Sequence, residues 1–295
     1  MRAFVPDYEL VTKGSLQETL KTLSQEPKIW KVFAGGTDLM VLFEAGKLKH
    51  HRFLNLAPFS ELRKIQVEKD FVQIGSLCTY SDIQSHPVIQ NEFPLLVRSG
   101  WVTGAKAIQN RGTIGGNIAN ASPAADTPPS LLAYGAQIEL QSEKGSRILD
   151  YTQFHLEYKK TALLENEIIS SVRIPRNQGW THHYYRKVGT RAFQSISKVA
   201  LSVAARVEAD QVLNFHLGLA SVAPFPMLAL DLEKNILHQK LRLVDSEKVS
   251  QSFSNLLSPI DDVRSTAAYR KAVAKNLVAH LIEILGKPPG IYLES

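Results

Sequence analysis

Apolar residues at Leu16, Leu20 and Leu23 recur at the spacing of one helix face. Ser15 stands just ahead of them and Glu18 three places after it, a pairing that predicts a capping box and a helix over LQETLKTLSQ. Ile29, Val32 and Phe33 crowd into a strand-like run at 29–34, and Leu39, Leu42, Phe43 and Leu48 return to helical spacing. With RFLNL at 52–56 as another strand, this predicts a small β-α-β unit ending near Asn55.

From Leu62 the period becomes two. Ile65, Val67, Val72 and Ile74 flank Glu68-Lys69-Asp70, which predicts a hairpin. Residues 79–110 are patterned as helix, broken at Pro87 and Pro94. A helix near Ser130–Tyr134 precedes a hairpin turning at Lys144-Gly145, and EIISSVRIP closes the region as a strand ended by Pro175. Residues 176–182 form a boundary. Beyond it Val199, Leu201, Val203, Ala205 and Val207, then Leu213, Phe215, Leu217 and Leu219, alternate with small or polar residues about an Ala209-Asp210 turn. That pattern predicts a half-buried antiparallel hairpin, and two or three helices follow, the clearest over 263–285. The expectation is an α+β chain divided into domains at 1–176 and 177–295, the first with subdomains near 1–56 and 57–176.

Composition narrows the chemistry. The chain has 295 residues, 44% hydrophobic and 21% charged, the balance of a globular protein. One cysteine, Cys78, excludes an internal disulfide and an iron–sulfur or zinc-thiolate site built by this chain alone. In its apolar setting it reads as a small core residue. The net charge of +6 is spread among acidic residues and reads as a solvated surface rather than a nucleic-acid footprint. MRAFVPDYEL lacks the pattern of a signal peptide and no apolar run approaches a membrane span, so a cytoplasmic, soluble protein is expected.

Two stretches of small residues carry the candidate chemistry. One is VFAGGTDL, residues Val32 to Leu39; the other is QNRGTIGGNIANASPAADTPP, residues Gln109 to Pro129. Glycine pairs admit close approach of another molecule and turn successive N–H groups to one side, a concavity suited to phosphate. Each is equally readable as a tight turn between packed elements. Taken as two strand–turn–helix elbows, they fit one elongated ligand with a diphosphate between them. Neither matches G-x-G-x-x-G or G-x-x-x-x-G-K-[ST], which excludes a Rossmann or P-loop reading. The His pairs at 50–51 and 182–183 read as surface residues, and no metal-ligand set or catalytic triad is evident.

AGGTDL followed by TIGGNIANASPAADTPP resembles the FAD-binding, or medium, subunit of the molybdenum hydroxylases, the xanthine dehydrogenase, carbon monoxide dehydrogenase and aldehyde oxidoreductase group. The likeness extends through RFLNLAPFSELRKI, IGSLCTYSDI, DYTQFHLEYKKTAL, EIISSVRIP, YRKVGTRAFQSISKVALSV and PIDDVRSTAAYRK. It implies a two-subdomain FAD-binding domain of the vanillyl-alcohol oxidase/CO dehydrogenase flavoprotein type, followed by a smaller α+β domain with an antiparallel sheet and helices. It further implies non-covalent FAD, with molybdopterin and [2Fe–2S] centres on partner subunits and NAD+ as a candidate acceptor.

By the same resemblance, Val32, Phe33, Ala34, Gly35, Gly36, Thr37, Asp38 and Leu39, with Thr113, Ile114, Gly115, Gly116 and Asn117, hold the FAD diphosphate. Asp126 matches an aspartate that accepts hydrogen bonds from the ribityl chain or adenosine ribose, and it equally suits a helix cap. Ile168 or Ile169 matches an apolar contact to the cofactor and equally a core position. Lys198 matches a lysine at the flavin pyrimidine edge, where a cation raises the potential, and equally a solvent-facing strand lysine. Arg186, Lys187 and Arg191 read as a solvated or partner-facing basic patch. The chain departs from the family at Gln109, usually arginine, with Arg111 available to substitute, and at Glu157, usually glycine. Two other functions compete: a self-contained FAD oxidoreductase, with Tyr134 or Tyr158 as acid or base, and an assembly subunit without flavin.

Overall fold

The computed structural model describes residues 7–191 and 194–294. The first six residues of the N-terminal stretch read above, and Ala192 and Phe193, lie outside the described residues. Three larger sheets organise the chain, each with its own buried cluster.

The first sheet is a parallel trio ordered β1-β3-β2, from β1 Glu9–Val11, β2 Lys31–Phe33 and β3 Arg52–Asn55. Helix α1, Leu16–Gln25, buries Leu16, Leu20 and Leu23 against it, as the spacing predicts. Only half of the expected capping box forms. Ser15 Oγ accepts from the Glu18 N–H at 3.1 Å, but the Glu18 carboxylate takes the N–H of Gly14. Helix α2, Leu39–Glu44, is a shorter helix than the apolar spacing suggests and buries no residue.

The second sheet is antiparallel, ordered β4-β5-β10-β6-β7. Hairpins β4 Ile65–Val67/β5 Phe71–Gly75 and β6 Gln137–Ser142/β7 Gly145–Asp150 flank a central strand, Ile168–Pro175, which becomes β10 after the short ribbon β8 His155–Glu157/β9 Lys160–Thr161. Strand β10 is buried on both faces, so its sequence shows no alternation. Ile168 packs into the core of the first sheet, while Ile169, Val172 and Ile174 pack into that of the second. Helices α3 Tyr80–Ser85, α4 Pro87–Glu92, α5 Pro94–Val102, α6 Lys106–Gln109, α7 Ile114–Ala119 and α8 Pro128–Ala133 complete this region. Pro87 and Pro94 begin α4 and α5, the position at which a missing N–H costs nothing.

The third sheet is ordered β14-β13-β12-β11-β15, from β11 His182–Val188, β12 Val199–Glu208, β13 Gln211–Ala220, β14 Met227–Leu228 and β15 Gly290–Glu294. The Ala209-Asp210 turn has positive φ at both residues, as the twist of a tight hairpin requires. Helices α9 Leu230–Ile236, α10 Ser246–Leu256 and α11 Ala267–Leu285 contribute to its core. Helix α8 packs against this sheet as well. A Cβ on Gly218 would sit 2.9 Å from Pro129 Cα, and Ser130 Oγ lies 2.9 Å from Ser202 Oγ.

Candidate functional site

The first elbow leaves β2 at Phe33 and reaches α2 through Ala34–Asp38. Gly36 has φ +75°, and the Phe33 ring occupies the space its side chain would need, so only glycine fits. The Gly36 carbonyl accepts from the Met40 N–H at 2.9 Å, while Asp38 makes no cap bond with its side chain. From Ala34 to Leu39, no backbone N–H has a hydrogen-bond partner among the described residues. A run of unsatisfied donors on half-buried backbone is chemically suited to an anion.

The second elbow differs from the expected strand–turn–helix form. It leaves helix α6, and Thr113 forms an isolated bridge with Thr79 before α7 begins. Four of its donors are already committed. Ile114 N–H bonds Cys78 O at 3.0 Å, Gly115 N–H bonds Ser76 O at 2.9 Å, Gly116 N–H bonds Thr113 Oγ1 at 3.1 Å, and Asn117 N–H bonds Thr113 O at 2.9 Å. Asn117 Oδ1 in turn accepts from the Thr127 hydroxyl. Gly115 is small because a Cβ would lie 2.6 Å from Ser76 Cβ, not because its own N–H is open. Among the described residues, Thr113 is the one position from Thr113 to Asn117 whose N–H has no hydrogen-bond partner, and it lines the cleft, so most but not all of the open donors belong to the first elbow.

The two elbows meet. A Cβ on Gly35 would lie 2.8 Å from the Arg111 carbonyl carbon, and a cleft of about 140 Å³ is lined by Ala34 and Gly35 on one side and Asn110, Arg111 and Thr113 on the other. Arg63, Ala57, Leu77 and Thr79 complete its lining. Thr79 was legible as a helix start: its hydroxyl and N–H both bond the Asp82 carboxylate in a full capping box. Ser76, whose buried Oγ has no partner, gave no signal in the sequence. Gln109 does not line the cleft. It is buried behind the second elbow, donating to Trp101 O at 2.8 Å and accepting from Gln84 Nε2 at 3.2 Å.

Four other readings from the sequence are revised. Asp126 does not cap α8; Lys187 Nζ lies 2.8 Å from one of its oxygens and Ser197 Oγ donates to the other at 2.7 Å. Both partners come from the third-sheet region, so this buried cluster ties that region to the loop following α7. Burial pushes the Asp126 carboxyl above its usual range, against the pull of the Lys187 charge. Lys187 is consequently an interior ion-pair residue rather than part of a basic surface patch. Tyr134, weighed as an acid or base, is enclosed, donating or accepting at His183 Nδ1 and bonding the Leu95 N–H. His182 is buried and bonds Lys287 O, so this His pair is structural rather than on the surface.

Ile168 and Ile169 lie in the two cores, and Lys198 does not line the cleft, its ammonium resting 5.0 Å from the centroid of the Tyr269 ring. Cys78 is buried, which pushes its thiol up to about 12. No group of three or more potential metal ligands occurs among the described residues, and no described helix is long and apolar enough to cross a membrane.

A glycine elbow with a row of open N–H groups meets a second elbow across a cleft, an arrangement suited to an anionic ligand, and the family match places the chain among FAD-binding flavoproteins. The chain belongs to the family described as the FAD binding domain in molybdopterin dehydrogenase, matched over residues 6–177, and carries a CO dehydrogenase flavoprotein C-terminal domain over 183–285. It is 28% identical to the glyceraldehyde dehydrogenase medium chain of Sulfolobus acidocaldarius over 93% of this chain and 96% of that one. It is 27% identical to the carbon monoxide dehydrogenase medium chain of Hydrogenophaga pseudoflava over 92% and 95%. Its fold is similar to a solved carbon monoxide dehydrogenase structure from Hydrogenophaga pseudoflava, with TM-score 0.90 and 26% identity, covering 96% of this chain and 98% of that one. The chain is an FAD-dependent oxidoreductase subunit.

Proposed function

We propose that this chain is the electron-transfer subunit of a cytoplasmic molybdenum hydroxylase. In this reading, reducing equivalents pass from [2Fe–2S] centres on a partner chain, through this subunit, to NAD+ or another acceptor. Substrate oxidation takes place at molybdopterin on a third chain. The observation that carries it is the run of six residues, Ala34 to Leu39, whose N–H groups have no partner among the described residues and whose first two residues line the cleft. FAD held there supplies a two-electron carrier able to exchange with one-electron centres.

The residues fit that group. Gly35 and Gly36 leave the backbone accessible, the second elbow is fixed by Ser76, Cys78 and Thr113, and the Asp126–Lys187 pair anchors the loop beyond it. The lone cysteine leaves cluster ligation to another chain, and medium-chain relatives such as that of carbon monoxide dehydrogenase support the same division of labour. A self-contained oxidase has less support, since Tyr134 is enclosed and no carboxylate lines the cleft. The test is purification of the full chain with its neighbours. Flavin absorbance that acid precipitation releases into solution, together with co-purifying iron–sulfur and large chains, is expected. A chain that binds no flavin after addition of FAD sinks the cofactor assignment; a flavin-loaded chain that oxidises its own substrate unaided sinks the subunit assignment.

A further inference from the structure

We propose that Arg63 and Arg111 form a cationic clamp on a diphosphate at the mouth of the cleft, selecting a dinucleotide over a flavin that lacks that group. This rests on the FAD reading above. The first elbow offers N–H groups but no cation; its one ionisable side chain, Asp38, is negative and exposed. Gln109, standing where the family has arginine, is turned into the protein and supplies no charge. Positive charge is supplied instead by Arg63 and Arg111, which both line the cleft, Arg63 reaching Ala57 O beside the end of β3 and Arg111 standing against Gly35.

Neither guanidinium has an ion pair among the described residues. Arg63 makes one long bond, 3.4 Å to Ala57 O, and no hydrogen bond to the Arg111 side chain is formed within the described chain. Asp82, the carboxylate next to Thr79, is committed to that residue's N–H and hydroxyl. Both backbones are nonetheless fixed. Arg111 is pressed against Gly35 and its N–H bonds Ile108 O, and Arg63 ends a 3-10 turn whose Leu62 carbonyl accepts from Leu77. Two exposed guanidinium groups without ion pairs among the described residues, carried on fixed backbone beside a donor-rich elbow, are of the type that holds phosphate oxygens through paired N–H groups.

The test uses the full chain, stripped of flavin and titrated with FAD, ADP and riboflavin at low salt and in 0.5 M NaCl. Arg63→Gln and Arg111→Gln should each weaken FAD and ADP binding by about tenfold at low salt, with a smaller difference in high salt and riboflavin binding unchanged. Arg111→Lys should recover part of the loss, which separates charge from folding. A double variant that binds FAD and ADP within twofold of the wild type overturns the clamp, as does an equal loss for riboflavin. A wild-type chain that takes up neither FAD nor ADP overturns the cofactor reading beneath it, and the clamp with it.

Discussion

Gly35→Ala tests the junction of the two elbows. The added Cβ would sit 2.8 Å from the Arg111 carbonyl carbon and closer still to its oxygen, both backbone atoms that no rotamer can move. Carbon atoms rest at about 3.5–4.0 Å, so the walls must part by about 1 Å. Overpacking of this kind costs about 1–3 kcal/mol. The larger effect falls on the ligand, because the donors of Ala34–Leu39 and the side chains opposite would no longer converge. We expect FAD affinity to fall by about tenfold to a hundredfold, or about 1.4–2.8 kcal/mol. Gly100→Ala is the matched control. It lies in α5, its nearest neighbour would be the Gln84 amide at 3.5 Å, an ordinary contact, and helix propensity favours alanine by up to about 1 kcal/mol. Fluorescence titration of stripped protein with FAD, alongside urea unfolding, reads both effects. Wild-type FAD affinity in Gly35→Ala would refute the convergence of the elbows.

Lys187→Ala should cost about 3–5 kcal/mol at neutral pH by leaving Asp126 buried without its cation. Because burial raises the Asp126 pKa, the deficit should shrink as pH falls and the carboxyl takes a proton; urea midpoints that show a deficit independent of pH would contradict this. Glu233 is buried with the Leu217 N–H on its carboxylate, and burial pushes its pKa up to about 7. A raised acid contributes stability that is present below its unfolded pKa, about 4.3, and lost as pH rises through 7. Glu233→Gln should therefore gain on the wild type between pH 5 and 8, reaching at most about 4 kcal/mol; a flat difference in denaturation midpoint refutes the assignment.

Much of the fold was legible because its signals are local. Leu16, Leu20 and Leu23 mark one helix face, the Lys144-Gly145 turn joins β6 to β7, and the alternation from Val199 to Leu219 gives the β12–β13 hairpin. Strands β1 and β15 escaped because each is short and half exposed, and each gains its place by pairing in parallel with a strand distant in sequence. The glycine elbows were visible as small-residue runs, yet a glycine pair carries no record of where its N–H groups point. The commitment of Gly115 and Gly116 to Ser76 O and Thr113 Oγ1, against the openness of the first elbow, required the neighbouring backbone.

The same distinction separates the charged residues. By itself the sequence determined the periodicities, the two elbows, the single cysteine and the family, all of which depend on residue type and spacing along the chain. Tertiary structure alone decided that Lys187 is buried against Asp126, that Gln109 turns inward and that Arg63 and Arg111 face one cleft. A side chain's charge is written in the sequence, but its solvation and its partner are set by whichever distant segment folds against it.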